Sequence, residues 1–79
     1  MKAKIRITLK KGVLDPQGKA IAGALGSLGF TGVENVRQGK YIELEMSETD
    51  AEKARSQIRS MCEKLLANTI IENYDIELA

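Results

Sequence analysis

From Lys2 to Lys10 apolar and polar residues alternate without a break. Ile5, Ile7 and Leu9 fall on one side of an extended chain, and Lys4, Arg6, Thr8 and Lys10 fall on the other. Successive side chains of a strand point to opposite faces, so this segment has one face to bury and one to leave in water. It reads as a half-buried strand ending at Gly12.

Past Gly12 the period changes. Asp15-Pro16 is a helix start, with Asp as N-cap and Pro at the first helical position, and Ile21, Leu25 and Leu28 recur at i, i+4 and i+7. Gly29 closes this helix. From Gly32 the period returns to two: Val33 to Gln38 reads as a short strand, Gly39-Lys40 as a turn, and Tyr41 to Met46 as a strand with Ile42, Leu44 and Met46 facing inward. Ser47 or Thr49 beside Asp50 offers a cap for a second helix. Its apolar stripe is Ala51, Ala54, Ile58, Met61 or Cys62, and Leu65, and it stops near Asn68. Thr69 to Leu78 supplies a last strand with Tyr74, Ile76 and Leu78 on one face.

The order is β-α-β-β-α-β, an α+β chain of the ferredoxin-like kind forming a single domain over residues 1–79, with two helices on one face of an antiparallel sheet. In that topology the first strand lies between the third and fourth. Glu43 and Glu45 on one side, and Asp75 and Glu77 on the other, then share the outward face with Lys4, Arg6 and Lys10. The basic N-terminal run is thereby read as cross-strand charge complementarity.

A chain of 79 residues buries only about 60% of the surface its unfolded form exposes. Its single Cys excludes an internal disulfide. Extra buried area has to come from a partner, and self-association through the sheet is the expectation, as a dimer or a larger assembly. The balance of 12 basic and 11 acidic residues, net +1, is no polyanion-binding surface, and the sheet lacks the central aromatics of RNA-recognition folds. No apolar core of a secretory signal stands at the N-terminus. The longest uncharged stretch, Ala20 to Val33, is 14 residues, too short to span a bilayer. One lone Cys fits a reducing compartment, so the expected location is the cytoplasm.

The chain contains no His, which removes any Cys-His, Ser-His or His-metal arrangement. Cys62 lies on the apolar stripe and reads as a small core residue. Gly23, Gly26 and Gly29 make neither a Walker A loop nor a dinucleotide fingerprint, and Ala22 with Gly26 leaves a smooth strip where another backbone can approach. No catalytic, cofactor-binding or metal-ligating residue is assigned. Glu52, Lys53 and Arg55 read as a solvated helix face. Arg37-Gln38-Gly39-Lys40 reads either as a solvated hairpin tip or as a docking contact for an acidic or phosphate-bearing partner surface.

Asp15-Pro16-Gln17-Gly18, Arg37-Gln38-Gly39-Lys40 and Met61-Cys62-Glu63-Lys64-Leu65-Leu66-Ala67-Asn68, in that order and running on to Glu72-Asn73-Tyr74, resemble the PurS-type small subunit of phosphoribosylformylglycinamidine synthase. The resemblance implies a non-catalytic subunit of an ATP-dependent carbon-nitrogen ligase of purine biosynthesis, one that joins a glutaminase subunit to a synthetase subunit and assists ammonia transfer. ATP, Mg and glutamine would be used by the complex rather than bound by this chain. The family motifs fall on Asp15, Pro16 and Gly18 at the helix entry, Gly39 and Lys40 at the turn, and Cys62, Leu65, Asn68 and Tyr74 in the second helix and last strand. Arg37, Gly39, Lys40, Asn68 and Tyr74 are the candidate partner-docking residues. Asp15, Pro16, Gly18, Cys62 and Leu65 are the structural ones. The competing reading is an ACT-like regulatory domain that binds an amino acid at a dimer interface. A metal chaperone of the same topology would want a Cys-x-x-Cys loop after the first strand, and Gly12-Val13-Leu14-Asp15 has none.

Overall fold

The alternating N-terminal segment is the centre of the sheet. A computed structural model describes residues 1–79, and in it β1 (Lys2–Leu9) lies between β2 (Gly39–Glu45) and β3 (Glu72–Leu78), antiparallel to both. Ile5 stands opposite Ile42 and Ile76, which makes a continuous apolar row on the inner face. Ala3, Ile5 and Ile7 are fully buried. On the outer face Lys4 stands opposite Glu43 and Glu77, and Arg6 opposite Asp75. Lys2 Nζ lies 2.8 Å from Glu43 and Lys4 Nζ 3.9 Å from Glu77, so the expected charge complementarity is present. Exposed pairs of this kind hold little energy, but a slip of one residue would turn the isoleucine row outward and the charges inward, so they help to fix register.

Helix α1 spans Pro16–Ser27 and α2 spans Ala51–Met61. Asp50 caps α2, its Oδ1 accepting from the N–H groups of Glu52 and Lys53. The inward stripe of α2 is Ala54, Ile58 and Cys62, all fully buried. Leu65 does not continue it. Residues Cys62–Leu66 form a π-helical turn, closed by the Ala67 N–H on the Cys62 carbonyl at 3.0 Å. The wider turn adds a residue to the circuit, so Leu66 and Ala67 face the core and Leu65 is 82% exposed.

The fold has the expected helices and antiparallel sheet, with β1 between its expected neighbours, but Val33–Gln38 pairs with no strand, and the sheet has three. Gly32 (φ +80°) and Asn35 (φ +55°) adopt left-handed conformations that interrupt extended backbone, and the Gln38 N–H is taken by a carboxylate instead of a ladder partner. The last strand begins at Glu72 rather than Thr69, because Thr69–Ile71 is a turn.

Helix α1 also departs from its expected place: α2 lies against the sheet, whereas α1 has no extensive contact with any strand. It leads away as an arm, ended by Gly29 at φ +95°, with the Phe30 N–H bonded to the Leu25 carbonyl and the Gly29 N–H to that of Gly26. The molecule measures 48 × 24 × 15 Å, with a radius of gyration of 15.9 Å where a compact chain of this length has about 11.6 Å. No helix is long and apolar enough to cross a membrane.

Only nine residues are buried, so the core has no slack. Ile58→Ala is expected to cost about 2–5 kcal/mol; urea unfolding followed by circular dichroism checks this as a lowered midpoint at an unchanged slope.

Candidate functional site

One carboxylate gathers the first set of motif residues where the arm joins the sheet. Asp15 is 6% exposed. Its Oδ1 accepts the Gly18 N–H at 2.8 Å, capping α1, and its Oδ2 accepts the Gln38 N–H at 2.8 Å. These donors, Gln38 foremost and Gly18 next, hold the Asp15 carboxyl below the usual carboxylate range. Pro16 occupies the first helical position as expected. Gly18 is required by contact: a Cβ there would strike the Val36 carbonyl oxygen and the Asp15 carboxylate.

Arg37 completes the brace. Its Nη2 donates to the carbonyls of Leu9 and Lys10, each at 3.0 Å, and Nη1 reaches the Val13 carbonyl at 3.4 Å. The planar fork of donors ties the outgoing strand to the returning chain. The Arg37–Lys40 segment is not a hairpin tip, and the Arg37 guanidinium bonds to carbonyls of its own chain. Gly39 and Lys40 are the first residues of β2, opposite Thr8 and Ile7, rather than a turn.

Lys40 and Asn68 are joined by Glu72, which opens the closing Glu72-Asn73-Tyr74 run but was given no role from the sequence. Glu72 takes the Lys40 ammonium at 3.5 Å on one oxygen and the Asn68 N–H at 2.6 Å on the other. Asn68 in turn accepts the Ile70 N–H on its side chain, and its carbonyl accepts from Ile71 and Glu72. The available signal was an acid four residues after an Asn at a helix end, with a lysine within cross-strand reach. Asp15, Gln17, Gln38, Lys40 and Glu72 line one open recess at this end of the sheet.

Tyr74 belongs to a different cluster, under the π-helical turn, where its hydroxyl donates to Glu63 Oε1 at 2.9 Å. Burial, and then the neighbouring Glu63 carboxylate, push the Cys62 thiol up; burial, and then the hydrogen bond to Glu63, push the Tyr74 phenol up. Cys62 is thereby kept as a thiol, the form that is neither nucleophile nor metal ligand. The charged groups of the brace are spent on backbone partners, and what the arrangement sets is the direction in which α1 leaves the sheet.

Comparison with known proteins places these features in a family. The family model described as PurS, phosphoribosylformylglycinamidine (FGAM) synthase, matches residues 2–79. The chain is 49% identical over 75 residues to the phosphoribosylformylglycinamidine synthase subunit PurS of Synechocystis sp., covering 95% of this chain and 75% of that one. It is 47% identical over 77 residues to PurS of Bacillus subtilis, covering 98% and 90%. Among solved structures, B. subtilis PurS superposes with a TM-score of 0.86 at 47% identity, over 96% of this chain and 94% of that one. A chain of PurLQS from Thermotoga maritima superposes with a TM-score of 0.88 at 33% identity, over 96% and 93%.

The Asp15 brace carries a pH signature. Because the folded-state pKa is lowered, its contribution is complete above the unfolded value of about 3.9 and is lost as pH falls through the folded value below it. Asp15→Asn keeps one acceptor and loses the other. Thermal unfolding measured from about pH 7 to about pH 2 should show the variant several degrees lower at neutral pH, with the gap closing in acid. A gap that is constant across the range would show that the carboxylate charge does not matter.

Proposed function

This chain belongs to the PurS family and is a subunit of phosphoribosylformylglycinamidine synthase, and we propose that it is the non-catalytic piece joining that enzyme's glutaminase and ATP-dependent synthetase subunits. In this reading ammonia released from glutamine at one active site reaches the other through an assembly that the small subunit holds in register. ATP, Mg and glutamine act on the larger subunits, and this chain binds none of them. It self-associates in the cytoplasm and docks on both partners. Among its docking residues, Lys40, Asn68 and Tyr74 lie on the sheet and its adjoining turn. Arg37 and Gly39, also exposed, lie at the base of the arm beside the start of β2.

The observation that carries this reading is the likeness, over nearly the whole of both chains, to a chain of PurLQS from T. maritima. The brace supports it as well, since its charged side chains are bonded to backbone and leave shape as the chain's main asset. The match of residues 2–79 to the PurS family takes the place of the ACT-like alternative.

The test is ADP production by the purified synthetase and glutaminase subunits from the same source, with and without this chain, using glutamine or ammonium as nitrogen donor. Glutamine-dependent turnover is expected to fall to background without the chain while ammonium-dependent turnover persists. Equal glutamine-dependent rates in both mixtures would end the coupling role.

A further inference from the structure

Strand β3 is an edge of the sheet, and half of its main-chain groups have no strand to meet. The Lys10 N–H bonds to the Ile71 carbonyl and the Ala79 N–H to the Lys2 carbonyl. Antiparallel pairing alternates, so Asn73, Asp75 and Glu77 turn their main-chain groups toward β1, while Tyr74, Ile76 and Leu78 turn theirs outward. A row of free donors and acceptors of this kind is a template for another strand.

Helix α2 flanks that edge with two cations. Arg55 and Arg59 are exposed, take part in no ion pair, and line one shallow recess with Tyr74, Asp75 and Ile76. Arg55 Nη1 reaches the outward carbonyl of Ile76 at 3.4 Å, so its guanidinium stands over the edge itself. Asp75, the acid of the recess, faces Arg6 on the outer side of the sheet. The two spacings also agree. Four residues of helix advance about 6 Å, and alternate residues of a strand, which share one face, advance about 6.6 Å. Two carboxylates on alternate residues of an added strand therefore meet both guanidiniums, each of which can take a carboxylate with two hydrogen bonds.

We propose that the free edge of β3 receives an extended acidic segment of one of the synthase's larger subunits, its main chain pairing with Tyr74, Ile76 and Leu78 and two carboxylates on alternate residues meeting Arg55 and Arg59. This rests on the docking role in the proposed function and gives that role a surface and a chemistry. A second copy of this chain is a poor occupant. Its acids at that spacing are Glu43 with Glu45, Glu48 with Asp50, Asp50 with Glu52, and Asp75 with Glu77. In each pair one carboxylate is already engaged: Glu43 by Lys2, Asp50 by the first N–H groups of α2, and Glu77 by Lys4.

The experiment titrates the full chain onto the purified synthetase and glutaminase subunits, each separately, and reads hydrogen exchange at the amides of Tyr74, Ile76 and Leu78 with and without the partner. Two variants accompany it, Arg55→Glu/Arg59→Glu and the conservative Arg55→Lys/Arg59→Lys, both checked by circular dichroism for an unaltered fold. Charge reversal is expected to weaken binding to one of the two subunits about tenfold or more, with the lysine variant weakened less, and the three amides are expected to exchange more slowly in that complex than in the chain alone. Unchanged affinity of the reversed variant for both subunits overturns the acidic contact, and amides unprotected in both complexes overturn the strand pairing; either result ends the proposal. Amides protected in the chain alone, with protection that fades on dilution, give the edge to a second copy and also end it. In all of these cases binding by the unaltered chain leaves the docking role standing, whereas an unaltered chain that binds neither subunit removes the docking role together with the proposal.

Discussion

The geometry of this chain turns on a single carboxylate. Asp15 starts α1 by capping the Gly18 N–H and fixes the return of the chain by accepting the Gln38 N–H, so one side chain sets both the departure and the re-entry of a segment more than twenty residues long. Gly18 is small so that the Val36 carbonyl can come near, and Arg37 closes the third side on the carbonyls of Leu9, Lys10 and Val13. Without this knot the arm would be a loop with a helix in it. With it, the arm is an element of defined direction, and the rest of the molecule is a thin sheet carrying one helix.

The division of labour follows from size. A small chain has too little interior to finish its own core, and here the interior is one apolar row of the sheet under Ala54, Ile58 and Cys62. In the proposed role such a subunit contributes surface and spacing. The same economy suits a part whose role is to hold larger subunits in relation to one another, because rigid geometry can be built from backbone hydrogen bonds and a few charged side chains without a deep pocket.

Where local pattern decides structure, the sequence was sufficient. The alternation in β1, the Asp15-Pro16 entry, the Asp50 region as a cap and the flanking of β1 by acidic strands all appear as read, because each depends on residues close in sequence or on a two-residue period. Three features depend on something else. Leu65 was assigned to the core by a 3.6-residue count that a π-helical turn does not obey. Val33–Gln38 has the composition of a strand, but two residues with positive φ and one hydrogen bond to Asp15 divert it. Arg37 and Glu72 act on main-chain groups outside any helical or strand period, Arg37 across 24 to 28 residues, and side-chain-to-backbone contacts of that kind leave no periodic trace. The docking residues were therefore legible as motif positions but not as contacts, and the placement of α1 needed the three-dimensional footing of the arm.

A slab 15 Å thick has no point much more than about 8 Å from solvent, which is close to the screening distance of physiological salt. Dielectric shelter is therefore scarce, and the ionic ladder of Lys2, Lys4, Arg6, Glu43, Asp75 and Glu77 works in nearly bulk conditions. Such a ladder carries information rather than energy. It tells β2 and β3 where to stop sliding along β1, and it leaves the outer face with no net electrical preference that could draw a polyanion onto it.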